Sequence, residues 1–86
     1  MKIKIVGPEK DPVFQDIQRH FLQAIHELQV EATIDEVTKL SEMQDYPLLV
    51  FPAIFINDEL CCQGKDMSLE KAKQCILQTL EKEKKL

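Results

Sequence analysis

The sequence predicts an α/β domain of order β-α-β-α-β-β-α, a mixed four-stranded sheet with helices on both faces. Three observations carry that reading. Residues 2–6 alternate lysine with isoleucine and stop at Gly7-Pro8, which is the two-residue period of a strand. Residues 12–28 repeat apolar side chains every three or four positions, the period of an amphipathic helix. Two short apolar segments, 53–56 and 60–62, flank Asn57-Asp58 closely enough to form a hairpin.

Each element follows from its own residues. In the first helix, predicted over 12–28, the stripe is Phe14, Ile17, Phe21, Ala24, Ile25 and Leu28. Asp11 ahead of Pro12 fits an N-cap residue followed by a proline in the first helical position. Residues 30–37 then alternate, with Val30, Ala32 and Ile34 on one side and Glu31, Thr33 and Asp35 on the other, and predict a second strand. Residues 38–45, with Leu40 and Met43, read as a short helix stopped by the approach of Pro47. After the hairpin and Gly64, Ser68 caps a last helix whose stripe is Leu69, Ala72, Ile76 and Leu80, helped by Leu77. A strand joined through a helix to a strand makes a parallel pair with a right-handed crossover. The short link between the last two strands makes them antiparallel.

The chain of 86 residues is expected to be a single domain spanning 1–86. Apolar residues at 44% and charged residues at 30% describe a folded globular chain. The longest apolar run, residues 47–56, is half the length a membrane-spanning helix needs and is broken by Pro52. The alternating start is not the apolar block of a secretion signal, so a cytoplasmic location is expected. Eleven basic residues against fifteen acidic give a net charge of −4. The basic residues are scattered apart from Lys82, Lys84 and Lys85, which argues against a nucleic-acid partner. Three cysteines, Cys61, Cys62 and Cys75, are an odd number and make neither a disulfide framework nor a four-ligand zinc site. No metal site and no cofactor are expected.

Pro52 is the most informative residue. Proline cannot donate to a sheet ladder, so it belongs at the entrance of the third strand, and nothing local decides its isomer. Taken in order, Lys2-Ile3-Lys4-Ile5-Val6-Gly7, Glu27-Leu28-Gln29-Val30-Glu31-Ala32, Pro52-Ala53-Ile54-Phe55-Ile56-Asn57-Asp58-Glu59 and Gly64 with Ser68-Leu69-Glu70-Lys71 resemble one family. It is that of the small archaeal and bacterial thioredoxin-like proteins, the minimal glutaredoxin-type members of the thioredoxin superfamily. The resemblance covers essentially the whole chain. It implies the thioredoxin fold and makes Pro52 the family's cis-proline beside the active-site loop.

The departure from the family lies in its chemistry. Those proteins carry Cys-Xaa-Xaa-Cys where the first strand passes into the first helix, and dithiol exchange needs one thiolate to attack and another to resolve. Here that stretch is Gly7-Pro8-Glu9-Lys10-Asp11-Pro12-Val13-Phe14, with Asp11 and Phe14 aligning to the two cysteine positions in one of two registers. Neither register supplies a cysteine. The resemblance thus implies a redox-inactive binding module that docks a protein or extended peptide at the cis-proline groove, with Asp11, Phe14, Val50, Phe51 and Pro52 as its binding residues. Asp11 reads first as a helix cap and Phe14 first as core. The alternative is a thiol-disulfide oxidoreductase or a metal(loid)-handling protein using the vicinal Cys61 and Cys62. Neighbours in a regular strand point to opposite faces, so those two thiols are expected on opposite sides of the sheet. Cys75, flanking the last stripe, reads as packing. His20 and His26, six residues apart, share no helix face and read as solvated.

Overall fold

A computed structural model describes residues 1–45, 50–64 and 67–84. The elements are β1 (Lys2–Val6), α1 (Pro12–Leu28), β2 (Thr33–Val37), α2 (Leu40–Met43), β3 (Ala53–Ile56), β4 (Glu59–Gln63) and α3 (Leu69–Lys84). The strands form one mixed sheet in the order β2-β1-β3-β4. β1 runs parallel to β2 and antiparallel to β3, and β4 runs antiparallel to β3. This is a thioredoxin-like arrangement. Pro47, read from the sequence as the stop of α2, and Lys85 of the basic tail lie outside the described residues.

α1 has the bounds its sequence predicts. Asp11 is extended (φ −73°, ψ 122°) and its Oδ1 accepts the Val13 N–H at 3.0 Å, which satisfies a donor that the first turn leaves unpaired. At the other end Gln29 turns left-handed (φ 54°, ψ 45°) and Val30 N–H donates to Ile25 O at 3.2 Å. That closure shortens the second strand relative to expectation. With the Val30 amide committed to the helix end, the ladder begins at Thr33, whose N–H reaches Met1 O at 3.0 Å. Val30 and Ala32 still pack against the core.

The hairpin between β3 and β4 turns through Asn57 (φ 51°) and Asp58 (φ 70°), both left-handed as a type I′ turn requires. Asn57 ties the turn to β1, donating its N–H to Lys2 O at 2.8 Å and accepting the Lys2 N–H on Oδ1 at 2.9 Å. In α3, Ser68 Oγ accepts the Lys71 N–H at 3.3 Å, so the serine does cap the helix. Its stripe is the expected one, with Ala72 and Ile76 buried and Leu69 and Leu80 packed against the core, except for Leu77. Leu77 is 46% exposed, whereas Cys75 on the other flank of Ile76 is 6% exposed. One residue is 100° of helix rotation, and the core lies on the Cys75 side.

Ile3 and Ile5 of β1 and Ile54 and Ile56 of β3 meet Phe14, Ile17, Phe21 and Ala24 of α1 and Ala72, Cys75 and Ile76 of α3 in one cluster. α1 and α3 therefore cover the same sheet face. Each fully buried phenylalanine or isoleucine in that cluster contributes about 1.5–3 kcal/mol. Among the described residues, no helix is long and apolar enough to cross a membrane.

Candidate functional site

The end of β1, the start of α1 and the entrance of β3 meet at Gly7. Its N–H donates to Val37 O at 3.0 Å, which holds the chain at the end of the parallel pair. A Cβ placed on Gly7 would stand 3.2 Å from Phe14 Cδ2, 3.3 Å from Pro52 Cα and 3.4 Å from Pro52 Cβ. Glycine is what allows the helix start and the proline loop to close on each other. Sequence alone does not single out Gly7, whose one signal is its place between a strand and a proline.

The Phe51–Pro52 peptide bond is cis. Pro52 is buried, and its carbonyl accepts the Gly64 N–H at 2.8 Å as Gly64 (φ 97°) leads the chain out of β4. Val50 N–H donates to Gln63 Oε1 at 3.2 Å, so β4 also pins the residue ahead of the loop. The five candidate binding residues divide by depth. Phe14 is 1% exposed and belongs to the core, forming with Pro52 the floor of the junction. Val50 is 58% exposed and Phe51 is half-buried, so these two form its surface. Asp11 is half-buried and its carboxylate serves the helix cap. The stretch from Gly7 to Phe14 holds no thiol.

The cysteines are gathered elsewhere. Phe55 pairs with Leu60 and Ile54 with Cys62, which leaves Cys61 without a partner in the ladder. This is a β-bulge, and it overturns the expectation that the vicinal thiols take opposite faces. An extra residue breaks the alternation at that point. Cys61 and Cys62 instead line one cleft of about 320 Å³ together with Met67, Lys71 and Cys75. The Cys62 and Cys75 thiols lie within hydrogen-bonding reach of each other. Burial pushes the Cys75 thiol strongly upward, and the contact with Cys62 adds to the shift. Burial also pushes Cys61 up, against an opposing hydrogen bond with Thr79.

One of the two histidines differs from expectation as well. His26 is exposed, but His20 is half-buried with Nδ1 2.9 Å from Met67 O. A carbonyl only accepts, so Nδ1 carries the proton and ties α1 to the segment ahead of α3. A wider cleft of about 670 Å³ lies beside α1 and β2. Its polar groups are largely spent on each other, with Arg19 paired to Asp16 and Gln18 donating to Glu36.

The comparisons agree with the fold. The family described as thioredoxin domain matches residues 1–77. Among solved structures the chain is similar to thioredoxin 1 from the thermophilic eubacterium Thermosipho africanus TCF52B. The TM-score is 0.65 over 98% of this chain and 99% of that one, at 15% sequence identity. At that identity the likeness is one of fold. No curated protein matches the chain.

Proposed function

The chain belongs to the thioredoxin-domain family, and from that premise we propose that it is a redox-inactive binding module. Its partner is a protein or extended peptide, docked where Val50, Phe51 and Pro52 face the start of α1. The observation that carries this reading is the junction at Gly7. Phe14 and Pro52 form a packed floor there, and Val50, 58% exposed, stands on a loop pinned through Gln63. A rigid apolar surface loses little conformational entropy on binding. In either register of the family's Cys-Xaa-Xaa-Cys, one of which puts Asp11 and Phe14 at the two positions, the stretch from Gly7 to Phe14 supplies no cysteine to form a disulfide. The family holds extended substrates against this loop through the backbone, and that mode of attachment needs no sulfur.

The test is affinity capture with the native chain as bait, set against Phe51→Asp and Val50→Asp baits. Circular dichroism must first show all three equally folded. We expect a specific partner on the native bait and its loss on both variants. Equal recovery on all three would sink the reading.

The rival function, thiol-disulfide exchange through Cys61 and Cys62, is disfavoured by the upward shift at Cys61, since exchange proceeds through the thiolate. In insulin reduction driven by dithiothreitol, we expect the native chain and its Cys61→Ser, Cys62→Ser double variant both to leave the reagent's own rate unchanged. Cysteine-dependent turnover would replace the binding reading with the redox one.

A further inference from the structure

We propose that the cleft between β4 and α3 is a binding site for monovalent copper, with the Cys62 and Cys75 thiols as its ligands and the Met67 thioether beside them. All three cysteines of the chain line this cleft, and Met67 adds a fourth sulfur. Thiolate and thioether donors are soft and select Cu(I) over the harder divalent ions. Cys62 and Cys75 come from different elements, a bulged strand and a helix, and their thiols are within hydrogen-bonding reach. The number of ligands decides the ion. Among the described residues no three His, Cys, Asp or Glu side chains stand close enough to hold a metal, so the four-ligand set of structural zinc is not met. Two thiolates suit a d¹⁰ monovalent ion, which accepts two-coordinate geometry.

Binding changes no oxidation state. Two Cu–S bonds form, the two thiols release their protons to solvent, and Cu⁺ becomes a bis-thiolate of charge −1. Metal binding by thiols releases protons, so affinity for the ion should rise with pH. Cys61, exposed at the bulge, lies at the solvent side of the cleft and is not one of the pair.

The experiment is an anaerobic titration of the fully reduced chain with Cu(I), competed against a chromophoric Cu(I) chelator. We expect one ion per chain. Cys62→Ser and Cys75→Ala should each weaken binding by about a hundredfold or more, Met67→Leu by about tenfold, and Cys61→Ser by less than tenfold. Should Cys75→Ala fail to fold, Cys75→Ser, which keeps the size of the buried side chain, gives the same information. One bound ion should protect Cys62 from iodoacetamide and leave the exposed Cys61 labelled. Failure of the native chain to compete with the chelator would overturn the proposal. So would joint protection of Cys61 and Cys62, which marks the vicinal pair as the ligands. Phe51→Asp should bind the ion as the native chain does, so the outcome here is separate from that at the proline loop.

Discussion

Gly7 shows how little room a single residue leaves at the junction. A methyl group there meets Phe14 and the Pro52 backbone at 3.2–3.4 Å, and Pro52 has no flexible end to yield. Gly7→Ala should therefore destabilise the fold by about 1–3 kcal/mol in urea unfolding. Asp11→Ala should cost about 1 kcal/mol through loss of the cap and nothing beyond that. A larger loss of partner binding than of stability would give the carboxylate a second role. Cys75 makes a prediction of opposite character. Its thiol is held neutral in the fold, whereas the unfolded chain ionises it near pH 9, so the contribution of burial is complete below that pH. It is lost as the pH rises from 9 toward the folded value, because ionisation then favours the unfolded chain. Urea midpoints followed from neutral pH to about pH 11 should fall above pH 9, and Cys75→Ala should flatten that fall.

Element ends carry strain that the sequence need not have retained. Gln29 and Asp58 both hold left-handed backbone with a β-carbon. Gln29→Gly and Asp58→Gly should each stabilise by about 0.5–1 kcal/mol, read as a raised melting temperature, while Asn57 must stay because its amide bridges Lys2 and Glu83. These ends also mark what sequence could and could not tell. Asp11-Pro12 and the apolar stripe of α1 are local signals, and they place that helix to the residue. The start of β2 is not local, because the Val30 amide is claimed by Ile25 across the helix end. The bulge at Cys61 depends on how β3 and β4 align, and no reading of β4 alone reveals it. The meeting of Cys62 with Cys75 needs both that bulge and the burial of Cys75 on the core side of α3. The proline loop was legible because family resemblance marked Pro52, but the contact with Gly7 that supports it was not.

Across the whole molecule, the proline loop and the sulfur-lined cleft draw on different parts of one sheet. The cysteine-lined cleft includes Gln63, the residue that pins Val50, as well as its thiols. Gln63→Ala should therefore weaken partner capture at the loop several-fold while leaving copper affinity within about twofold, measured by the two assays side by side. The sheet order also leaves β2 and β4 as its outer strands. Open strand edges invite further strands from other copies, and each is blunted differently. β2 presents the exposed Asp35 and Glu36, whereas β4 carries its surplus residue. Pairing on either side of position 61 is already in step once that residue is discounted. Its excision should straighten the margin and hand a neighbouring molecule a flat template, so deletion of Cys61 is expected to promote edge-to-edge association, read by light scattering.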